Sequence, residues 1–289
     1  MGTDRMKVLV TGANGQLGID VINELNKRGH ISVGLDISDM DVTDEKSVES
    51  VMSETRPDAV IHCAAWTAVD AAESEEPKVR LINAVGTENV AKMCARLGCK
   101  MMYISTDYVF DGKGDTPWKP DCKDYAPLNV YGKTKLEGEI FVSSLLEKFF
   151  IVRIAWVFGK NGSNFVKTML RLSETHDTLR VVDDQVGTPT YTFDLARLLA
   201  DMIESDRYGY YHATNEGGYI SWAEFAEEIF RQANRKVSVT RVSTAEYGLS
   251  KAVRPFNSRL DKSKLAENGF KPLPDWQDAL KRYLKEIQA

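Results

Sequence analysis

The chain has 289 residues, enough for one large α/β domain or for a core domain with a smaller appendage. Apolar residues make up 43% and charged residues 27%, which is typical of a globular protein that buries a sizeable core. With 37 Lys and Arg against 42 Asp and Glu, the net charge is −5, which argues against a nucleic-acid-binding or polybasic membrane surface.

Short β-type runs alternate with helical segments along the first part of the chain. Strands alternating with helices of this length predict βαβ units and a Rossmann-type, doubly wound parallel sheet. The nearly continuous apolar character of the strands predicts burial on both faces. We expect strands at residues 7–10, 31–37, 59–65, 100–105, 149–158 and 179–182, and helices at 16–29, 44–54, 79–97 and 133–146.

The alternation weakens after about residue 160, where polar and aromatic segments appear. A helix is predicted over residues 221–234, because Ser221 and Glu224 have the spacing of a capping box. We therefore predict a dinucleotide-binding domain over residues 1–157 and 178–205. Residues 158–177 and 206–289 are expected to form a smaller, C-terminal substrate-binding region.

A glycine-rich loop follows the first predicted strand and leads into the first helix. Glycines in this place permit a tight turn and bring backbone N–H groups close to a pyrophosphate. The spacing is GxxGxxG, and a tight turn without a ligand is the alternative. Because strand, loop and helix occur in the required order, we assign dinucleotide binding to Gly12, Asn14, Gly15, Gln16, Leu17 and Gly18.

Asp36 ends the second predicted strand and is suited to accept hydrogen bonds from the adenosine ribose hydroxyls. A carboxylate repels a 2′-phosphate, and no Arg or Lys flanks Asp36, so NADH is favoured and NADPH is the alternative. We place Asp41 and Val42 beside the adenine. The alternative for Asp41 is that it only begins a turn. Ala64 and Ala65 are placed beside the pyrophosphate and ribose.

The stretch YGKTK places Tyr131 and Lys135 four residues apart, on one face of a helix. A nearby ammonium lowers the pKa of a tyrosine hydroxyl and makes it more useful for proton transfer. An exposed helical turn is the alternative, because YxxxK is a common pattern. Thr106 ends the fourth strand, where the ligands of doubly wound sheets bind, and its hydroxyl is suited to contact a substrate carbonyl.

With these motifs, the chain resembles the extended short-chain dehydrogenase/reductase family. The resemblance implies that Tyr131 donates a proton, that Lys135 supports it and holds the nicotinamide ribose, and that Thr106 tunes the pKa of Tyr131 and contacts the substrate. It is carried by AAWTAVDAAE (64–73), STDYVFDG (105–112), PLNVYGKTKLEGE (127–139), RIAWVFG (153–159), NFVKTMLRL (164–172), DDQVGTPT (183–190) and the C-terminal RPxxSRL segment.

The resemblance also implies a sugar-nucleotide substrate for the C-terminal region. Trp156 is expected against the sugar, because an indole packs on C–H groups and donates from its N–H; a core tryptophan is the alternative. The guanidinium group of arginine suits the geometry of a diphosphate. Each of the diphosphate candidates named next could equally be a surface residue. The candidates are Thr67, Val69, Thr106 and Asp107 for the wall of the site, and Asn164, Arg254 and Arg259 for the diphosphate.

Three functions remain open: a reductase acting on the C4 ketone of a dTDP-sugar, a sugar-nucleotide epimerase or dehydratase, and a non-catalytic subunit like the regulatory subunit of methionine adenosyltransferase. An intact Thr106, Tyr131 and Lys135 set argues against the non-catalytic alternative. In the dehydratases that the chain resembles, Asp-Glu follows the threonine. Here Asp107 is followed by Tyr108, so the groups for elimination are incomplete.

Histidine and cysteine patterns indicate no metal site. The four histidines are scattered without HExxH spacing, and the four cysteines lack CxxC spacing. The divalent cation that some family members hold between subunits is not established by any ligand set here. We expect reduced thiols, a cytoplasmic location, a dTDP-sugar as substrate, no nucleic-acid or membrane partner, and a homodimer as one alternative for the assembly.

Overall fold

A computed structural model describes residues 5–288 of the chain. The strands are β1 (Lys7–Thr11), β2 (Ile31–Leu35), β3 (Ala59–His62), β4 (Lys100–Thr106), β5 (Phe149–Ile154), β6 (Val157–Phe158), β7 (Thr178–Val182), β8 (Val186–Gly187), β9 (Thr190–Tyr191), β10 (Gly209–His212), β11 (Ile220–Ser221) and β12 (Ser238–Val242). The α-helices are α1 (Gln16–Lys27), α2 (Glu45–Thr55), α3 (Val69–Ala72), α4 (Glu76–Arg80), α5 (Gly86–Leu97), α6 (Val130–Leu145), α7 (Phe165–Leu172), α8 (Thr192–Ile203), α9 (Trp222–Gln232), α10 (Thr244–Tyr247), α11 (Ser263–Glu267) and α12 (Trp276–Gln288).

The main sheet has six parallel strands in the order β10-β5-β4-β3-β1-β2. Successive residues of a strand point to opposite faces, and both faces are covered here. Val8 and Val10 pack with α1 and α8, whereas Leu9 packs with α2 and α5. The predicted doubly wound sheet, buried on both faces, is therefore confirmed.

The C-terminal region has its own apolar cluster, built from α7, α9 and α12. Residues 179–182, predicted as a buried strand, lie in β7, which pairs with β12 outside the main sheet. Arg180 is exposed, so the prediction of a buried strand is wrong there. Conversely, β10 joins the main sheet beside β5, although we grouped its residues with the C-terminal region. The division into two regions stays a prediction.

The segment predicted as one helix over residues 79–97 is interrupted. A π-helical stretch, Leu81–Val85, separates α4 from α5. The Asn83 side chain accepts a hydrogen bond from Trp66 N (2.7 Å) and donates to Thr134 Oγ1 (3.1 Å). Such short π segments occur frequently at functional sites. Periodicity alone did not predict it, because both flanking helices have the same repeat.

Helix α6 begins earlier than predicted, so Tyr131 lies in its first turn. Asn129 caps the helix by accepting a hydrogen bond from Gly132 N at 2.8 Å. A Cβ at Gly132 would collide with the carbonyl oxygen of Tyr108. A glycine in the YGKTK motif is therefore required for α6 to approach the end of β4.

A buried ion pair fixes the middle of α6. Arg153 of β5 donates to both carboxylate oxygens of Glu139, at 2.8 and 2.7 Å, and the two side chains are 0% and 1% exposed. Ser105 of β4 donates to the same carboxylate at 2.5 Å. The pair and its hydrogen bonds thus join α6 to two neighbouring strands.

Among residues 5–288, no helix combines the length and apolar character that crossing a bilayer requires.

Replacing Arg153 with Met is expected to lower the free energy of unfolding by about 3–5 kcal/mol, because it leaves the Glu139 carboxylate buried without the cation of its ion pair. Urea unfolding at pH 7 measures the loss. The matched control is Arg96→Met, which breaks the exposed Arg96–Glu49 pair, with side chains 64% and 48% exposed. Its expected cost is below about 1 kcal/mol. Equal losses in both variants would contradict the role given to the buried pair.

Candidate active site

A cavity of about 850 Å³ opens at the carboxyl ends of the central strands. Parallel strands place their carboxyl ends at one edge, where doubly wound folds bind ligands. The glycine loop, the loops after β2, β3, β4 and β5, and the start of α6 all contribute to its wall. Of the residues predicted to bind cofactor, those lining the cavity are Gly12, Gly15, Gln16, Leu17, Gly18, Asp36, Asp41, Val42, Ala64, Ala65, Thr67, Tyr131 and Lys135.

The glycine loop is shaped by close backbone contacts. Gly12 has a φ of 64°, and a Cβ there would lie 2.9 Å from Ala64 N. A Cβ at Gly18 would overlap the Gly12 carbonyl oxygen. Side chains at these positions would force the loop away from the neighbouring backbone, and the loop leads into α1, whose N-terminal N–H groups suit a pyrophosphate. The loop therefore fits a dinucleotide.

Asp36 lies at the far end of the cavity, just after β2. Its carboxylate accepts hydrogen bonds from Asn14 N at 3.1 Å and from its neighbour Ile37 N at 2.8 Å. Asn14 does not line the cavity. Its backbone N–H instead joins the glycine loop to the Asp36 carboxylate. The next residue in the wall, Ile37, is apolar and 72% exposed.

Thr106, Tyr131 and Lys135 all line the cavity, and the Tyr131 hydroxyl is hydrogen-bonded to Thr106. Burial raises the pKa of Tyr131, and a hydrogen bond with Thr106 partly opposes that rise. Asp107 and Tyr108 raise it further. Thr106, rather than Lys135, is therefore the neighbour that lowers the pKa of Tyr131, which differs from our expectation for the Tyr–Lys pair.

Lys135 is held inside the protein, 2% exposed. Its Nζ donates to the carbonyl oxygen of Ile104 at 2.6 Å and lies 4.1 Å from the centre of the Tyr103 ring. Burial lowers the pKa of Lys135 to about 7, and the Glu139 carboxylate opposes that shift. The ammonium therefore titrates close to neutral pH.

Asp107 carries a buried carboxylate in the cavity wall, 3% exposed. Thr106 Oγ1 donates to its Oδ1 at 3.0 Å, whereas Oδ2 has no hydrogen-bond partner among the described residues. Burial raises the pKa of Asp107 to about 6, opposed by hydrogen bonds from Ser258 and Thr106. The carboxyl of Asp107 is thus a buried acceptor whose hydrogen-bonding capacity is not filled.

Trp156 lines the cavity and stacks on Trp222, with ring centres 3.7 Å apart and an angle of 16° between the planes. Gly187 packs against the Trp156 ring, since a Cβ there would lie 3.0 Å from it. Trp156 itself has a φ of 51°, which is unusual outside glycine. One face of the Trp156 indole is covered by Trp222, so the two side chains form a continuous aromatic part of the cavity wall.

Sequence reasoning missed several cavity residues. We used Ser221 only as a helix cap, but the aromatic residue next to it, Trp222, reaches the cavity. An aromatic side chain in the first turn of a helix that follows a capping box was the signal available. The other missed lining residues include Met40, Cys63, Ile82, Tyr108 and Ser163, whereas the predicted Val69 does line the cavity.

The three diphosphate candidates do not line the cavity. Asn164 caps α7, accepting from Lys167 N at 3.0 Å, and its amide donates to Gln16 Oε1 at 3.0 Å. Arg254 pairs with Asp70 at 2.7 Å and donates to Tyr108 Oη at 3.2 Å, so it reaches the cavity wall only through Tyr108. Asn164 is thus used as a helix cap and Arg254 in an ion pair, and neither side chain lines the cavity.

Arg259 also lies outside the wall. Its guanidinium donates to Asn257 Oδ1 at 3.1 Å, within the same C-terminal segment. Within residues 5–288, no group of three or more His, Cys, Asp or Glu side chains is arranged to hold a metal ion. The structure therefore places the predicted catalytic set and most predicted cofactor residues together, but separates them from Asn164, Arg254 and Arg259.

Lys135→Met is expected to stabilise the free protein most at and below pH 7, with a gain that shrinks toward pH 10. The folded ammonium loses its proton near pH 7, against a usual pKa of 10.5. Between these values the unfolded chain binds more protons, so the stability of the wild type rises with pH. Urea unfolding at pH 6, 7 and 9 without dinucleotide measures the difference.

The control is Lys133→Met, on the exposed side of α6, which should leave the pH dependence unchanged. A difference between Lys135→Met and wild type that is constant with pH would contradict the shifted titration.

The family model of the RmlD substrate binding domain matches residues 6–289. The dTDP-4-dehydrorhamnose reductase of Streptomyces griseus is 42% identical over 96% of this chain and 92% of the relative. The spore coat polysaccharide biosynthesis protein SpsK of Bacillus subtilis (strain 168) is 41% identical over 97% of both chains. A crystal structure of dTDP-4-dehydrorhamnose reductase from Bacillus anthracis in complex with NADP has a TM-score of 0.94 and 44% identity, covering 98% of this chain and 99% of that one. With sequence and fold matched over nearly the whole length, the chain belongs to the RmlD substrate binding domain family.

Proposed function

We propose that this chain reduces the C4 ketone of dTDP-4-dehydro-L-rhamnose to give dTDP-L-rhamnose, with NADH or NADPH as the hydride donor. The observation that carries the proposal is one cavity that joins the glycine loop to Thr106, Tyr131 and Lys135. The relative from Streptomyces griseus, which is named for this activity, supports the choice of substrate.

The dinucleotide would lie along the cavity, with its pyrophosphate at the glycine loop and its adenosine ribose at Asp36. When bound, it supplies the hydride that adds to C4 of the sugar. Thr106 and Tyr131 then face the ketone oxygen from the protein side. Hydrogen bonds aimed at an oxygen that gains negative charge stabilise the transition state.

Tyr131 is the proton donor in this proposal. Its raised pKa keeps the hydroxyl protonated at neutral pH, ready to transfer the proton to the C4 oxygen as the alcohol forms. The phenolate that remains is stabilised by a positive charge. Lys135, one turn further along α6, is assigned that charge in the complex with the dinucleotide, whereas in the free protein its Nζ is held by the Ile104 carbonyl oxygen and Thr106 is the neighbour that lowers the pKa of Tyr131.

The residue beside Asp107 is Tyr108, and this argues against the dehydratase alternative. Elimination needs an additional acid or base, and this chain has Tyr108 at that position. Burial raises the pKa of Tyr108 to about 12, so its hydroxyl keeps its proton near neutral pH. Arg254 donates to the same oxygen. Asp107 is therefore left as the only carboxylate next to Thr106.

Incubation with dTDP-4-dehydro-L-rhamnose and NADH tests the proposed reaction. One NADH or NADPH is expected to be oxidised for each dTDP-L-rhamnose formed, and dTDP-glucose is expected to give no 4-keto product. Purified protein that retains NAD⁺ and converts dTDP-glucose without added cofactor would overturn the proposal in favour of a dehydratase. Dinucleotide binding without turnover of any 4-keto sugar nucleotide would favour the non-catalytic alternative.

Tyr131→Phe is expected to lower kcat by about 10²- to 10⁴-fold, the usual contribution of a positioned acid, while dinucleotide binding is retained. Steady-state kinetics and a separate NADH titration measure the two effects. Tyr219→Phe, which removes a hydroxyl bound to the Leu260 carbonyl outside the cavity wall, is the control. Turnover near the wild-type value in Tyr131→Phe would rule out the proton donor.

We also propose that NADH is preferred, because a 2′-phosphate would meet the Asp36 carboxylate. Asp36→Ala is expected to weaken NADH and to narrow the difference between the cofactors, since it removes both a ribose acceptor and a repulsive charge. Values of kcat/KM for the two cofactors measure the change. The Bacillus anthracis relative binds NADP, so a strong NADPH preference of the wild type is the result that would contradict this placement of Asp36.

The proposed location is the cytoplasm. All four cysteines are free, and Cys94 and Cys99 stay unbridged although a backbone hydrogen bond of 3.1 Å joins their residues. Reduced thiols of this kind are typical of the cytoplasm.

A further inference from the structure

The carboxyl end of β3 carries a buried histidine that the proposed reaction does not use. His62 is 1% exposed, and its chain neighbour Cys63 lines the cavity. Its Nδ1 is 2.7 Å from Thr11 Oγ1, and its Nε2 is 3.2 Å from Thr87 Oγ1. The imidazole stacks on the Tyr103 ring, with centres 5.9 Å apart. Both ring nitrogens are therefore engaged by hydroxyl groups from different elements.

The direction of each hydrogen bond follows from the neighbouring groups. Thr87 uses its hydroxyl hydrogen to donate to the Asn83 carbonyl oxygen at 2.7 Å, so it accepts from Nε2–H of His62. Nδ1 is then the acceptor, and Thr11 donates to it. Thr11 Oγ1 also accepts from the backbone N–H of Ala64 at 3.2 Å. A neutral imidazole with its hydrogen on Nε2 satisfies every group in this chain of bonds.

The electrostatic surroundings favour the same neutral form. Burial, together with the nearby Lys135 ammonium, lowers the pKa of His62 to about 3. A positive imidazolium would place a second N–H against Thr11 and a second charge near Lys135. The imidazole therefore keeps one hydrogen-bonding pattern throughout the neutral pH range.

One end of this chain of bonds reaches the dinucleotide side of the cavity. Thr11 and Ala64 both line the cavity. Ala64 N lies so close to Gly12 that a Cβ on Gly12 would be 2.9 Å from it. The bond from Ala64 N–H to Thr11 thus fixes the distance between the glycine loop and the loop after β3.

The other end reaches the helix of the proposed proton donor. Asn83, whose carbonyl accepts from Thr87, also donates from its side chain to Thr134 Oγ1 at 3.1 Å. Thr134 lies on α6 between Tyr131 and Lys135, and its hydroxyl donates to the Tyr131 carbonyl oxygen. His62 is the link between the two ends.

We propose that His62 is a positioning residue for the dinucleotide. Its neutral imidazole holds Thr11 so that the Ala64 N–H and the glycine loop keep the spacing that a pyrophosphate and the nicotinamide ribose require. The inference rests on the dinucleotide placement in the proposed function. It assigns His62 no contact with the substrate and no proton transfer.

Two substitutions each keep one of the two hydrogen bonds of the imidazole and remove the other. In His62→Asn the amide oxygen takes the place of Nδ1 and still accepts from Thr11, whereas in His62→Gln the amide nitrogen takes the place of Nε2 and donates only toward Thr87. His62→Leu removes both bonds. Loss of one buried hydrogen bond corresponds to about a tenfold change in an equilibrium constant.

The experiment titrates each variant with NADH and measures Kd, kcat at saturating NADH, and thermal stability. We expect Kd to rise about tenfold in His62→Leu and His62→Gln, to stay within about threefold of wild type in His62→Asn, and kcat to change little. His212→Leu is the matched control, because His212 is also fully buried, 0% exposed, and lies outside the cavity wall. It should lose thermal stability without a change in Kd.

Equal weakening in the Asn and Gln variants, or wild-type Kd in His62→Leu, would overturn the inference. If His62→Leu does not fold, Thr11→Val removes that bond together with the acceptor for Ala64 N–H, without loss of volume, and should raise Kd at least as much. A wild-type protein that binds no NADH would instead overturn the proposed function. The two failures are thus distinguished by the wild-type titration alone.

Discussion

The buried pair of Glu139 and Arg153 is the interaction on which the geometry of the active site depends. Neither side chain reaches water, so each requires the other. Because Glu139 is one helical turn beyond Lys135, and Ser105 adjoins Thr106, the pair sets α6 against the strand end that carries the threonine. The same carboxylate keeps the Lys135 ammonium from losing its charge altogether. One ion pair thus controls both the position and the electrostatics of the proposed catalytic groups.

Gly132 of α6 and Gly12 of the glycine loop also fix the geometry of the active site, through close backbone packing. A Cβ at Gly132 would collide with the backbone of Tyr108, and a Cβ at Gly12 would lie too close to the backbone of Ala64. At both positions the neighbouring backbone limits how far this part of the cavity wall can move without a clash. The part of the chain that carries Trp222 is built differently, because β7, β8, β11 and β12 pair in twos outside the main sheet.

The sequence was sufficient for the parallel sheet, the glycine loop and the meeting of Thr106 with Tyr131, because each depends on local pattern and strand order. It was insufficient for Trp222 and Arg254. Trp222 reaches the cavity only because α9 packs beside β6 and α7, and no periodicity encodes that contact. Arg254 carries the right charge for a diphosphate but is paired with Asp70, 184 residues away in the chain. Long-range pairing of this kind is not visible in local sequence.

The unpartnered oxygen of Asp107 has a consequence for the stability of the free protein. A carboxylate oxygen that is buried without a donor raises the free energy of the folded state. A proton on the carboxyl removes the unpaired charge, and burial accordingly raises the pKa of Asp107 to about 6. The cavity wall thus contains a carboxyl group that the folded protein keeps charged at neutral pH only at an energetic cost.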